Sequence, residues 1–270
     1  MADPETTAAL GRLVDIMARL RAPGGCPWDH EQTPESLRPY LLEETYEVLD
    51  AIDRGDPAAL RDELGDLLLQ VVFHAEIARE AGRFSIADVA RAIAEKLVRR
   101  HPHVFADVAV RDADEVVRNW QQIKAAERHS SEGDTSVLAG IPRALPALAR
   151  AEKVGDRLSH VGFDWADLRG VLGALDAERA ELDAALAAGD PAAARREVGD
   201  LLLTLASVAR HLGVSAELEL RAATDRLDAR ARHVEQAAAT LGRALGDLDD
   251  AERDRLWMLA KRALDRPDGV

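Results

Sequence analysis

The sequence predicts an all-α fold arranged as a tandem repeat of helical-bundle units, and three observations carry that expectation. Ala, Leu, Glu and Arg dominate while aromatic residues make up only 4%, a balance that favours helices over strands. Apolar residues recur at spacings of three and four, the period of one helix face. Finally, the segment Glu44–Leu69 returns without a gap as Glu178–Leu203, at a constant offset of 134 residues. The pairs Glu44/Glu178, Glu47/Glu181, Gly55/Gly189, Asp56/Asp190, Pro57/Pro191, Glu63/Glu197 and Asp66/Asp200 all keep this register. Shared helical composition alone does not reproduce a Gly-Asp-Pro turn and four acids in step, so the pattern is that of a duplication. Weaker echoes follow: Lys96 with Arg226, Arg100 with Arg230, Trp120 with Trp257 and Lys124 with Lys261.

The elements of the first unit follow from local signals. Leu41, Glu44, Val48 and Ala51 define one face of a helix. Gly55 suits the left-handed position that ends it, Asp56 can cap the next helix, and Pro57 fits that helix's first turn. The second helix is expected from about Ala58 to Glu80. Gly82 and Phe84-Ser85 break it, and another helix covers Ile86–Arg100, ended at His101-Pro102 because proline disfavours helical geometry in the residue before it. A further helix is expected over Asp114–Arg128. The Ser-, Gly- and Pro-containing stretch 129–146 reads as a linker. The expected organisation is thus a first unit at 1–128, the linker, and a second unit at 147–270.

Bulk properties narrow the function. A formal net charge of −14 repels a phosphate backbone, so no nucleic-acid partner is expected. The single cysteine, Cys26, has no internal disulfide partner, which fits a reducing cytoplasm. The N-terminus lacks a signal-peptide profile and no apolar run approaches a membrane span, so the expectation is a cytoplasmic chain with no membrane partner.

The acids carry the chemistry. A lone Glu-x-x-Glu pair is ordinarily a solvated face. Here Glu44 and Glu47 project from one side of their helix, Glu63 and Asp66 from one side of the next, and the Gly-Asp-Pro turn folds the two pairs face to face. Asp66 stands within Leu64–Phe73 and Asp200 within Val198–Leu205, both apolar runs. The expectation is that these two are buried, where an unpaired carboxylate costs several kcal/mol and requires a cation or a raised pKa. With oxygen donors only, and no Glu-x-x-His of the di-iron kind, such a site suits Mg²⁺, with Mn²⁺ as a substitute. Mg²⁺ held by carboxylates shares its other positions with phosphates and water, which points to phosphoanhydride hydrolysis.

At these residues the sequence resembles the MazG family of nucleoside triphosphate pyrophosphohydrolases. The motifs are Gly25-Cys26-Pro27-Trp28-Asp29, Leu42–Asp50, Glu63–Leu68, Arg99–Phe105, Ile141-Pro142 with Leu145–Leu148, and Val161–Trp165. The resemblance implies a homodimer of tandem all-α units and Mg²⁺-dependent conversion of nucleoside triphosphates to monophosphates and pyrophosphate, in nucleotide-pool house-cleaning. It implies metal ligands at Glu44, Glu47, Glu63 and Asp66, and at Glu178, Glu181, Glu197 and Asp200. Nucleotide contacts are implied at Arg226, Arg230, Trp257 and Lys261, with Lys124 reaching from the first unit; in the family the second unit is often the hydrolytic one. This chain departs from the pattern there, with Ala177 before Glu178 and with Ala174 and Ala193 where lysines are expected. The first unit keeps Glu43-Glu44 together with Lys96, Arg100, Trp120 and Lys124, so both units are candidates for the working site.

For the remaining residues packing is the expectation: Cys26 as a buried turn residue, His101 and His103 at a helix end, and Trp28 and Trp165 in matching loops, where contact with a base is the alternative. Two other functions compete with triphosphate hydrolysis. One is a non-catalytic acidic helical module that recruits a partner. The other is a metal-dependent phosphohydrolase acting on an alarmone or a dNTP.

Overall fold

The computed structural model describes residues 3–106, 108–112, 115–116, 119–120, 123 and 136–264. Among them every regular element is helical. The chain divides into two compact units, Met1–Ser130 and Ser131–Val270. Most of the expected helix over Asp114–Arg128, the first part of the 129–146 stretch, and Lys124 lie outside the described residues.

The first unit opens with α1 (Pro4–Arg21), capped by the Asp3 side chain, a helix not anticipated from the sequence. A short α2 (Pro27–Glu31) follows. Then come α3 (Arg38–Asp53) and α4 (Pro57–Glu80), the acid-bearing hairpin. Its turn forms for the reasons read from sequence. Gly55 has φ +62°, a conformation costly for any residue with a Cβ, and the Asp56 carboxylate accepts from the Ala58 and Ala59 amides at 2.9 and 3.1 Å. Next is α5 (Ile86–Arg100), begun by a reciprocal Ser85–Asp88 capping box. The short α6 (Pro102–Phe105) follows, and residues 115–116, 119–120 and 123 are helical as well. The core forms where α1 lies on the C-terminal half of α4: Met17, Leu37, Val72, Phe73 and Ile77 are buried together.

One buried cation ties these pieces. Arg21, 5% exposed, donates to both oxygens of Glu80 at 2.8 and 3.0 Å and to the carbonyls of Asp29 and Gln32. Its guanidinium also lies 5.4 Å from the Phe73 ring centre. The ends of α1, α2 and α4 therefore share a single side chain.

The second unit comprises α7 (Ala147–Ser159), α8 (Leu168–Ala187), α9 (Pro191–Leu212), α10 (Ala216–Thr240), a 3₁₀ turn at Leu245–Asp247 and α11 (Asp250–Leu264). Here too a glycine with positive φ (Gly189, +68°) and an aspartate cap (Asp190 to Ala192 and Ala193) join the acid-bearing helices α8 and α9. Arg210 on α9 grips both oxygens of Asp164 at 2.6 and 2.8 Å and fixes the loop before α8. Glu152 on α7 accepts from the Ala216 amide and the Ser215 hydroxyl at the start of α10. A separate core holds Val234, Ala238, Leu248, Leu256 and Ala260 between α10 and α11. α9 and α10 meet at 103°, and no single helix among the described residues is long and apolar enough to cross a membrane.

The Arg21 clamp generates a stability prediction. Replacing Arg21 by Met strips Glu80 and two carbonyls of their shared donor, and should cost on the order of 3 kcal/mol in urea denaturation at neutral pH. The Arg21 hydrogen bond holds the Glu80 carboxyl below its ordinary value. This part of the stability is present above that value and is lost as pH falls through the depressed one, so Arg21→Met should show a shallower acid-side decline.

Candidate functional site

The hairpin turn sets the site. Because α3 and α4 run antiparallel from Gly55, Glu44 on α3 comes level with Glu63 and Asp66 on α4. One carboxylate oxygen from each of these three lies within 4.8 Å of the others. In the second unit Glu178, Glu197 and Asp200 meet in the same way within 4.8 Å. Glu47 stands just outside the first trio, one turn along α3, and hydrogen bonds to Glu44; Glu181 is the charged neighbour of Glu178 on α8. Each expected quartet is thus a tight trio with a fourth acid beside it.

The electrostatics follow from this crowding. Partial burial, then the charges of Asp66 and Glu47, raise the Glu44 carboxyl above its ordinary value. Glu178 is raised likewise, by desolvation and then by Glu181, Asp200 and Glu197. Oxygen donors alone, three within reach of one point, form a hard-cation donor set and can hold a divalent metal.

The expected burial of Asp66 and Asp200 is not observed: both are exposed, with Glu44, Glu63, Glu178 and Glu197 half-buried. The physical reason is that the apolar residues nearest them are themselves open: Leu64 is 48% exposed and Leu202 49%, and in the first run apolar side chains are buried only further along α4, at Val72 and Phe73. Convergence of the acids, not burial of the aspartates, is what sets this cluster apart from a solvated helix face.

The cationic residues gather around tryptophans. In the first unit the Arg100 guanidinium lies 5.8 Å from the Trp120 ring centre. Both line a cavity of about 380 Å³ together with Lys96, His101, Ile93 and Leu97. In the second, Arg230 and Lys261 approach the Trp257 ring at 5.9 and 6.0 Å, while Arg226 is exposed four residues earlier on α10.

Among the residues assigned to packing, His101 accepts that role, its Nδ1 lying 2.7 Å from the Leu97 carbonyl at the end of α5. Cys26 is half-buried at the start of α2. Trp28 and Trp165 are not packed away: they are 50% and 42% exposed. Trp28 meets Tyr40 edge to face, with centroids 5.8 Å apart. Tyr40, Gln70 and His74 escaped the sequence reading. Their signal was positional, since Gln70 and His74 continue the Glu63–Asp66 stripe of α4 at four-residue steps.

Known proteins resemble this chain over most of its length. The profile of the MazG nucleotide pyrophosphohydrolase domain matches residues 32–105, the span of the first carboxylate hairpin and α5. The nucleoside triphosphate pyrophosphohydrolase of Escherichia coli (strain K12) is 47% identical over 94% of this chain and 97% of its own length. The nucleoside triphosphate pyrophosphohydrolase/pyrophosphatase MazG of Thermotoga maritima is 43% identical over 92% of this chain and 94% of its own. A crystal structure of a mazG-related protein from Thermotoga maritima aligns with a TM-score of 0.37 at 27% identity, covering 42% of this chain and 97% of that one. The chain belongs to the MazG family of nucleoside triphosphate pyrophosphohydrolases, hydrolases that act on phosphoanhydride bonds.

Proposed function

We propose that the protein is a Mg²⁺-dependent hydrolase that converts nucleoside triphosphates to monophosphates and pyrophosphate and so clears the cytoplasmic nucleotide pool. The observation that carries this reading is the convergence of Glu44, Glu63 and Asp66, and again of Glu178, Glu197 and Asp200, each set within 4.8 Å. Glu47 and Glu181 complete the two sets. These carboxylates would hold Mg²⁺, or Mn²⁺ in its place, which would supply Lewis acidity towards the phosphates and an activated water. The half-buried glutamates would hold such an ion beside the triphosphate, with Glu47 and Glu181 as the fourth donor of each set. Lys96, Arg100 and Lys124 in the first unit, and Arg226, Arg230 and Lys261 in the second, would offset the charge of the leaving pyrophosphate. Trp120 and Trp257 would wall the nucleotide.

The same reading takes the two units as products of a duplication, at 1–128 and 147–270 with the intervening stretch as linker, and assembles the chain as a homodimer. Support comes from the open apolar faces beside the acids: Leu64, Leu68 and Val71 on α4, and Val198, Leu202, Leu203 and Leu205 on α9, are all exposed in the single chain. Contiguous apolar faces of this kind mark association surfaces. In addition, the 103° bend between α9 and α10 leaves Arg230 and Asp200 on the order of 20 Å apart along one chain. A second copy would bring cations to carboxylates. A homodimer should sediment at twice the chain's 29.3 kDa, and a monomer at working concentration would contradict that assembly.

Hydrolysis is tested by incubating the protein with Mg²⁺ and each NTP while measuring pyrophosphate, orthophosphate and monophosphate. Pyrophosphate and monophosphate should appear in equal amounts. Glu47→Ala or Glu181→Ala should lower turnover about 10²-fold or more in whichever unit works, and unaltered turnover in both would sink the carboxylate assignment.

The charge crowding gives a third expectation, read without metal. Glu44 has a folded-state pKa above its ordinary value of 4.5. Its favourable contribution is therefore full below that value and lost as pH rises through the raised one. Glu44's share of the metal-free protein's stability should fall towards neutral pH. Asp66→Asn should lessen that loss, raising the metal-free melting temperature at pH 7 while weakening the gain on adding Mg²⁺.

A further inference from the structure

The carboxylate stripe of α4 does not end at Asp66. At 100° per residue, Glu63, Asp66, Gln70 and His74 fall within an arc of roughly 80° on one face of the helix. Gln70 and His74 stand roughly 6 and 12 Å further along the axis than Asp66. Gln70 is 5% exposed, and its Oε1 has no hydrogen-bond partner; neither has the buried Nε2 of His74. Unpartnered buried polar atoms are costly and rare, and here two occur on the stripe that leads away from the carboxylates.

A second observation lies at the same level of the hairpin. With Glu44 facing Glu63 and Asp66, the antiparallel register puts Tyr40, one turn earlier on α3, level with Gln70. Tyr40 is 38% exposed and holds Trp28, 50% exposed, in an edge-to-face pair. Open aromatic rings beside buried polar atoms are the two elements of nucleobase recognition, a stacking face and an edge reader. The second unit is built differently here: 134 residues on from Gln70 and His74 stand Thr204 and Val208.

We propose that Gln70 and His74, with Trp28 and Tyr40, form a nucleobase subsite of the first unit that continues from its carboxylates and selects bases whose Watson–Crick edge carries an exocyclic amine beside an unprotonated ring nitrogen. The proposal rests on the triphosphate-hydrolase reading above and deepens it. Gln70 Oε1 accepts from the amine and His74 Nε2–H donates to the ring nitrogen, a pattern that adenine and cytosine present and uracil does not. The aromatic pair supplies stacking, which every base can use. The first unit thereby discriminates among bases, whereas Thr204 and Val208 leave the second without that edge reader.

The test uses the full chain with Glu178→Gln, Glu181→Gln, Glu197→Gln and Asp200→Asn, so that only the first unit keeps its acids. Calorimetry with Mg²⁺ compares α,β-methylene analogues of ATP, CTP, GTP and UTP with inorganic tripolyphosphate, which has no base. The parent should favour the ATP and CTP analogues over the UTP analogue by roughly 10-fold or more. Gln70→Leu and His74→Leu should each abolish that preference, leave tripolyphosphate binding unchanged and melt no lower than the parent, since neither removes a hydrogen bond within the chain. Trp28→Ala should weaken all four analogues by roughly 10-fold without changing their order, and Trp28→Phe should recover most of the loss. A parent without preference, a preference that survives both leucine variants, or tripolyphosphate binding that falls in step with them overturns the subsite alone. Failure of the parent to bind tripolyphosphate with Mg²⁺ while the chain with both acid sets binds it overturns the subsite, and failure of both chains overturns the functional reading as well.

Discussion

Three carboxylates held within 4.8 Å of one another repel, and a chain keeps them there only if other interactions hold the helices that carry them. In this protein the holding is done at the ends of the hairpin rather than at the acids. The aspartate cap and positive-φ glycine fix one end, and the core that α1 builds against α4 fixes the other. In the second unit the Arg210–Asp164 pair and the contacts of α7 take the latter role. Desolvation, and then the charges of the neighbouring acids, hold the Glu44 and Glu178 carboxyls above their ordinary value. Stability and chemistry are thereby separated along one pair of helices.

Much of this was legible in the sequence, because the determinants are local. Gly55, Asp56 and Pro57 dictate the turn, Ser85 and His101-Pro102 bound α5, and the spacing of Glu44, Glu63 and Asp66 places them together once the turn is known. Depth was not legible. The apolar run around Asp66 reads as core, yet in the chain Leu64, Leu68 and Val71 face outward. A periodic pattern says which residues share a face; it does not say whether that face is covered by the same chain. The same ambiguity hid Trp28, whose size suggests packing but whose ring stands half in the open beside Tyr40.

Long-range pairings were also beyond a sequence reading. Nothing near Arg21 announces Glu80, 59 residues away, and nothing near Asp164 announces Arg210. The Trp257 cluster with Arg230 and Lys261 depends on α10 and α11 packing back on one another through Val234, Ala238, Leu256 and Ala260. Such contacts follow from tertiary geometry, whereas their members were individually visible through the 130- and 137-residue echoes with Lys96, Arg100, Trp120 and Lys124.

The Gly-Asp-Pro turn has an evolutionary corollary. Inserting or deleting one residue within α4 ahead of Glu63 rotates the acids by roughly 100° relative to the start of their helix and carries them out of the cluster. Differences between the two hairpins are thus confined to replacement at constant length. The gapless 134-residue register bears that mark, with Glu43 becoming Ala177 and Gln70 becoming Thr204 while the span from first acid to last is conserved between halves. Drift in such a hairpin changes what surrounds the acids and leaves their phase untouched.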